Sequence, residues 1–396
     1  MAESSQALLN PPPGTEPALP LLLRPLMLRG LALRNRIVVS PMATYSAVDG
    51  MASDFHLVHL GRFALGGAGL VMTEATAVSE KGRITPGCLG LWQDAQIAPF
   101  RRLIDFLHEH GAAAGIQLCH SGAKGAGQRP WHGGGPLGEA DLAARGEKPW
   151  PLVAATSEAF DSGFQTPTAL DEAGMAGLIA AYCAAARRAE AAGFDVLELH
   201  CAHGYLLHGF LSPLGNRRED DYGGSLENRM RFPLRVAQAL RQAWPAARPM
   251  FVRISAIDGV DLGWSLADSV GFARALKQIG IDLVDCSTGG MRVPRERSLP
   301  ARTPGFQVPF ASGVRAEAGI ATMAVGLIRD PGQAEAILQA GSADLIALGR
   351  EMLFDPNWAA RATVALAGEA GWNAWPQAFG WWLQRRARLD RPKASE

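Results

Sequence analysis

Cysteine is scarce in this 396-residue chain, and none of the five is placed to act as a staple. Cys88, Cys119, Cys183, Cys201 and Cys286 are scattered, odd in number and form no C-x-x-C pair. That excludes a disulfide framework and a closed zinc site, and it points to a reducing, cytoplasmic compartment. Net charge is missing too: 38 Lys and Arg balance 38 Asp and Glu, so no global field draws in nucleic acid or an anionic membrane. No apolar run approaches the roughly 18–20 residues that a spanning helix needs. No basic residue precedes Arg24, and the stretch before it carries Pro11, Pro12, Pro13, Pro17 and Pro20. This pattern suits neither a signal peptide nor a membrane span, so residues 1–22 are expected to be a flexible N-terminal segment.

What the chain does have is a strand-then-helix rhythm. Hydrophobic residues make up 48% of it, and its 45 glycines suit a compact, turn-rich enzyme. Short apolar runs begin at Ile37, Gly69, Gly115, Asp195, Met250, Asp282, Thr322 and Asp344. Each is rich in Val, Ile or Leu, apolar on both faces, as parallel strands covered by helices should be. Helical spacing fills 172–192, 229–244, 267–279 and 332–340, and Gly111, Gly193, Gly280 and Gly341 stand where helices must stop before the next strand. Eight such units predict an α/β fold: a single (β/α)8 TIM barrel over residues 23–370. A doubly wound open sheet would need a Gly-rich phosphate turn after its first strand, and Ser40-Pro41-Met42 offers none.

Two segments depart from the rhythm. Residues 120–168, dense in Gly, Pro and Trp, form a long insertion after strand 3, expected to overhang the catalytic face. Residues 371–396 form a tail with Trp372, Trp375, Trp381 and Trp382, followed by Arg385, Arg386 and Arg388. Such a tail docks rather than floats, either on its own barrel or at a subunit interface.

In a barrel of this kind the chemistry gathers at the C-terminal ends of the strands. Strand 4 ends in His200-Cys201-Ala202-His203-Gly204-Tyr205, two imidazoles and a phenol suited to polarise a carbonyl and deliver a proton. The competing reading is a pair of core histidines. A zinc site that adds His208 is weaker, because three ligands from one short segment rarely converge alone. Gly326 after strand 7, with Gly349 and Arg350 after strand 8, suits a phosphate held by backbone N–H groups and one guanidinium; the alternative is two turn glycines and a surface arginine. Arg253, inside an apolar strand 5, needs an anion, either a ligand or a structural ion pair. Gln117 on strand 3 carries an amide suited to the edge of a heteroaromatic ring.

Together these residues resemble the old yellow enzyme family of flavin ene-reductases, from about Leu22 to Trp358. The most specific stretch runs from Leu211-Ser212-Pro213-Leu214-Gly215-Asn216-Arg217-Arg218 through Asp221-Tyr222-Gly223-Gly224-Ser225 to Glu227-Asn228-Arg229. The second is Asn35-Arg36-Ile37-Val38-Val39-Ser40-Pro41-Met42. His-x-x-His before Gly-Tyr is similar to the subgroup of shorter bacterial enzymes that includes xenobiotic reductases. The resemblance implies non-covalent FMN across the barrel mouth. Ser40, Pro41, Met42, Ala43, Ala75 and Gln117 would line it, Arg253 would sit near its N1–C2 edge, and Gly326, Gly349 and Arg350 would hold its phosphate. It also implies that His200 and His203 bind the substrate oxygen, that Tyr205 is the proton donor, and that Tyr45 touches substrate. One position departs: the subgroup usually has cysteine where this chain has Ala43, so redox tuning and substrate preference do not carry over.

The implied activity is reduction of activated C=C bonds in α,β-unsaturated carbonyl or nitro compounds, by ping-pong hydride transfer with NADPH or NADH as reductant. The implied partners are small electron-poor alkenes and further copies of the chain, in a homodimer or higher homo-oligomer; no metal, nucleic acid or membrane is implied. A flavin-binding barrel that senses or scaffolds is the alternative. A plain phosphate-binding isomerase or aldolase ranks below it. An iron–sulfur dienoyl-CoA reductase would need clustered cysteines that this chain lacks.

Overall fold

The computed structural model describes residues 19–292 and 300–389. Eight parallel strands close into a barrel in sequence order: β1 Ile37–Val39, β2 Leu70–Ala77, β3 Ala113–Cys119, β4 Val196–Cys201, β5 Met250–Ser255, β6 Leu283–Ser287, β7 Ala321–Ala324 and β8 Leu345–Leu348. β8 pairs back onto β1. Helices α1 Asp54–Leu65, α2 Ile97–Glu109, α3 Glu172–Ala192, α4 Leu226–Ala243, α5 Leu266–Ile279, α6 Val308–Ala318 and α7 Pro331–Gln339 follow the first seven strands in turn, and α8 Trp358–Ala367 follows the last. The expected TIM barrel is the observed fold. α4 begins three residues before the expected start because Ser225 caps it, its Oγ accepting the Asn228 N–H at 3.3 Å. Gly193 and Gly280 end α3 and α5 in the left-handed region, at φ +105° and +92°.

The lower end of the barrel is built for stability. Three aspartates at strand entries repeat one device. Asp195 accepts the Ala114 N–H (2.8 Å), Asp282 that of Met250 (2.8 Å) and Asp344 that of Thr322 (3.0 Å). Each is also paired with a basic side chain: His108 at 2.7 Å, Arg29 at 2.6 Å and Arg315 at 2.9 Å. A hairpin of Leu26–Leu28 and Leu31–Leu33 closes this end, placing its leucines against the interior residues Val38, Leu70, Val196, Phe251, Leu283 and Leu345.

Strand side chains alternate in and out, so parity sorts the barrel interior into tiers. Val196, Glu198 and His200 of β4 share one face, as do Phe251, Arg253 and Ser255 of β5, and Leu283, Asp285 and Ser287 of β6. The lowest tier is apolar, the middle tier ionisable and the top tier hydrogen-bonding. A register shift in β2 between Met72 and Ala75 sets Ala75 opposite Gln117 of β3, at the level of Glu198.

The insertion over 120–168 is a compact subdomain. It contains the turn Gly122–Lys124, a helix at Glu139–Arg145 and two short paired strands, Val153–Ala154 and Thr168–Ala169. The motif after β4 fastens it. Arg218 donates to the carbonyls of Ala155 and Leu170, both at 2.8 Å, and Asn216 donates to those of Phe210 (2.8 Å) and Tyr222 (2.7 Å).

At the N-terminus, the part of residues 1–22 up to residue 18 lies outside the described residues. Leu21–Leu23 form a short turn whose first two N–H groups are held by Glu335 of α7, at 2.9 and 2.8 Å. The tail forms a helix, Gln377–Leu389, which touches the preceding Gly368–Ala374 turn and leaves Phe379, Trp381 and Trp382 exposed. Among the described residues, no helix is long and apolar enough to cross a membrane.

Candidate active site at the barrel mouth

The residues singled out in the sequence fall into three groups around the upper rim. The first is the imidazole pair. His200 ends β4 and is buried; its Nδ1 accepts the Ala202 N–H at 3.1 Å, so its ring proton lies on Nε2. His203 stands on the turn after β4 with φ +60°, an uncommon conformation for a residue with a Cβ. Its N–H is taken by Ser255 Oγ at 2.9 Å, and Ser255 in turn donates to the Gly289 carbonyl at 2.5 Å. Its Nε2 lies 2.8 Å from Ser287 Oγ. With the Ser287 hydroxyl donating, the proton of His203 sits on Nδ1.

The two rings stand edge to face with centroids 5.1 Å apart, and Tyr205 meets His200 at 5.1 Å in the same manner. Burial, followed by the nearby Arg253 charge, holds both imidazoles well below their ordinary pKa. Both are therefore neutral at physiological pH; His200 keeps an N–H on Nε2 that the backbone leaves unused, and the Ser287 contact leaves Nδ1 of His203 free. Burial pushes the Tyr205 phenol well up, keeping its proton in place. Two neutral donors beside a protonated phenol suit the oxygen and adjacent carbon of a polarised substrate.

The second group is a buried ionisable tier beneath them. Arg253 Nη1 donates to Ser40 Oγ at 3.0 Å and lies 3.2 Å from Asp285 Oδ2. The structural ion pair weighed for Arg253 is therefore present, yet its Nε has no partner. Gln117 Nε2 donates to Glu198 Oε1 at 2.7 Å. Burial and then Asp285 push Glu198 up; burial likewise raises Asp285, against the pull of Arg253. Glu198 therefore holds its proton at neutral pH, leaving one carboxylate to face one guanidinium. Glu198 and Asp285 were missed in the sequence. Each sits two residues before a rim residue on an inward-facing strand position, a parity that marks them.

The third group lines a cavity of about 810 Å³ over the ends of β6, β7 and β8. Gly326, Gly349 and Arg350 meet there, joined by Arg302 and Arg329. Gly326 has φ +121°, and a Cβ on it would come within 3.0 Å of Gln307 Nε2. Gln307 is held by Thr288 Oγ1 at 2.7 Å and donates to the Val325 carbonyl at 3.1 Å. Arg329 and Arg350 have no carboxylate partner among the described residues. Glycine backbone and unpaired guanidinium groups at one cavity suit a phosphate.

Ser40 is buried beside Arg253, while Pro41, Met42 and Ala43 continue outward along the rim, with Ala43 exposed. Gly349 faces Met42, which joins the β1 loop to the third group. Ala75 lies beside Gln117. Tyr45, at φ +51°, is fixed by its neighbours: Arg129 donates to its carbonyl at 3.1 Å, and Trp131 meets its ring at 6.1 Å. The loop carrying it is anchored by Glu74, which accepts the Thr44 N–H (3.1 Å) and hydroxyl (2.5 Å). His208 does not join the other histidines. Its Nδ1 accepts the Gly204 N–H at 2.8 Å and its Nε2 faces Asp258 at 3.2 Å. Among the described residues, no group of three His, Cys, Asp or Glu is placed to hold a metal.

The comparisons with known proteins agree with this geometry. A model of the NADH:flavin oxidoreductase / NADH oxidase family matches residues 21–369. The NADPH dehydrogenase of Listeria innocua serovar 6a is 45% identical over 341 residues, 86% of this chain and 93% of its own length. The NADPH dehydrogenase of Bacillus subtilis strain 168 is 42% identical over 350 residues, 88% of this chain and 96% of its own length. Among solved structures, morphinone reductase superposes with a TM-score of 0.71 at 26% identity, covering 88% of this chain and 90% of that one.

Proposed function

The chain belongs to the NADH:flavin oxidoreductase / NADH oxidase family, and from that premise we propose that it reduces activated C=C bonds of α,β-unsaturated carbonyl or nitro compounds in a ping-pong cycle. It is an FMN-dependent oxidoreductase of the NADPH dehydrogenase type, using NADPH or NADH.

The residues present fit FMN. Gly326, Gly349 and Arg350 would hold its phosphate in the cavity at β7 and β8, while Ser40, Pro41, Met42, Ala43, Ala75 and Gln117 would line its ring system. The unpartnered Nε of Arg253 is a buried donor waiting for an acceptor of this kind. When bound, FMN supplies the two-electron carrier between the nicotinamide and the alkene.

His200 Nε2 and His203 Nδ1 each donate a hydrogen bond to the substrate carbonyl or nitro oxygen. They withdraw electron density from the alkene as negative charge builds on that oxygen. The Ala202 N–H fixes the His200 tautomer beforehand, and a donating Ser287 hydroxyl would set His203 in the matching sense, with its proton on Nδ1. Tyr205 delivers its phenolic proton to the carbon alpha to the activating group, and Tyr45 borders the substrate. The single observation that carries the reading is the pair of neutral imidazoles, each with one ring nitrogen left free by the protein at the barrel mouth beside Tyr205.

Purified protein should be yellow, release FMN on denaturation and oxidise NADPH with cyclohexenone or N-methylmaleimide. A colourless protein, or one without turnover on either alkene, contradicts the reading; flavin reduction without turnover favours the sensing or scaffolding alternative. The same reading makes the protein cytoplasmic and a homodimer or larger, with residues 371–396 at the subunit contact. Truncation after residue 370 should then split the dimer and alter substrate affinity, whereas an intact dimer with unchanged kinetics removes that role.

A further inference from the structure

Lys124 is a buried cation to which the mechanism above gives no task. It sits on the Gly122–Lys124 turn just beyond β3, and burial pushes its ammonium down to about 8. Among the described residues no carboxylate pairs with it. Its Nζ instead donates to the carbonyls of His203 (2.7 Å) and Gly290 (3.1 Å). It lies 5.1 Å from the centroid of the Tyr205 ring and 4.7 Å from that of Phe160.

We propose that Lys124 is the positioning cation of the site, stabilising the Tyr205 phenolate as Tyr205 gives up its proton and fixing the turn that carries His203. This inference rests on the alkene-reduction reading. The first ground is electrostatic. Burial makes Tyr205 a reluctant acid, and Tyr45, Cys119 and Cys88 would each make it more so if ionised. An ammonium held at the ring face favours the anion that proton delivery leaves behind. The proton leaves Tyr205 Oη for the alpha carbon, and the O–H electron pair stays on oxygen until water restores the phenol.

The second ground is steric. The loops after β4 and β6 touch backbone to backbone: a Cβ on Gly290 would come within 2.1 Å of His203 Cα, and one on Gly204 within 2.3 Å of the Gly290 carbonyl oxygen. Two carbonyls pointing at one place repel each other unless a cation joins them. Lys124 joins them, and so holds His203 at its positive φ.

The titratable groups facing Lys124 and Tyr205 are Cys119 on β3, Cys88 and Tyr45 on the loops after β2 and β1, and His200 and His203. Burial raises Cys119, raises Cys88 to about 11 and Tyr45 to about 12, and lowers both imidazoles. Arg253 lies in the tier beneath His200 with Glu198, which burial pushes up to about 8; Glu158 and Arg292 line the small cavity beside Tyr205, where Arg292 pairs with Asp161. Between pH 7 and 9 both Lys124 and the buried Glu198 beneath His200 change charge, and the limb that responds to substitution at Lys124 is the one that belongs to Lys124.

The test uses the FMN-loaded enzyme, reduced anaerobically with NADPH and reoxidised with cyclohexenone. Lys124→Met should slow reoxidation about 10²-fold while leaving reduction within threefold, and Lys124→Arg should restore most of the rate. Wild-type reoxidation should fall as pH rises through about 8, and that limb should be gone in Lys124→Met and moved to higher pH in Lys124→Arg. In a Tyr205→Phe background, Lys124→Met should cost no more than about tenfold, the part that comes from loosening the His203 turn. Unchanged reoxidation in Lys124→Met overturns the proposal, as does a slowed rate that keeps the wild-type pH profile or a full additive loss on Tyr205→Phe. If wild-type enzyme is reduced by NADPH but never reoxidised by cyclohexenone, the alkene reading fails first and takes this inference with it.

Discussion

Two histidine clusters lie within one turn of each other after β4, and they end in opposite states. At the rim, His200 and His203 each spend one ring nitrogen on the protein and keep the other free. Just behind them, His208 is buried and turns both ring nitrogens toward the protein. Its Nδ1 takes the Gly204 N–H, its Nε2 faces Asp258, and Asp258 also accepts from Ser212 Oγ at 2.6 Å and Trp264 N at 2.8 Å. Burial alone would raise the Asp258 carboxyl, but the bonds from His208, Ser212 and Trp264 outweigh it and hold the group below its usual range. A Ser–Asp–His constellation, the residue set of a nucleophilic triad, is here a buried brace for the turn carrying Tyr205. Unused donors, rather than the residue types themselves, separate a site from a scaffold.

The sharpest way to break this contrast is to remove the proton donor. Tyr205→Phe should cut turnover with an enone by about 10²–10⁴-fold while the melting temperature barely moves, as steady-state assays beside calorimetry will show. The reverse pattern belongs to the brace. Asp258→Ala leaves His208, Ser212 and the Trp264 N–H without an acceptor, and should cost about 3–5 kcal/mol in denaturant unfolding.

Glu74 extends the scaffold class to the β1 loop. Burial, only partly offset by the Thr44 bonds, pushes it up to about 7 from 4.5. A group whose folded pKa is raised contributes stability that is complete below its unfolded value and lost as pH rises through the folded one. Glu74 should therefore withdraw about 3 kcal/mol between pH 4.5 and 7. Urea melts across that range should show Glu74→Gln free of this loss relative to wild type; parallel curves would remove Glu74 from the account. The smallest effect tests the tautomer argument. Ser287→Ala deletes one neutral hydrogen bond to His203, worth about 1 kcal/mol, and should lower kcat/KM for the alkene about fivefold.

Much of this was legible in the sequence. The strands expected to begin at Asp195, Asp282 and Asp344 begin one residue later, at Val196, Leu283 and Leu345; apolar runs bounded by helix-ending glycines carry a strong local signal. His200, His203, Tyr205, Arg253 and Gly326 could be singled out because a strand end in a barrel opens onto the mouth, and the structure gathers them in and beneath that mouth. The partners that give those residues their states were not visible. Ser287 and Ser255 lie 84 and 52 residues from His203, and nothing local in either strand announces the bond. Lys124 was hidden for the same reason, inside an insertion with no periodicity. The most specific motif, from Leu211 to Arg229, was recognised without its purpose: Arg218 fastens the insertion to the rim, and Asn216 braces the motif itself through the carbonyls of Phe210 and Tyr222.

The central claim is that His200 and His203 meet the alkene's activating oxygen. Reducing FMN-loaded His200→Ala with NADPH and then mixing it with cyclohexenone in a stopped-flow spectrometer tests it most directly. Reduction should stay within a few-fold of wild type while reoxidation slows by about 10²–10³-fold. Reoxidation at the wild-type rate would contradict the account.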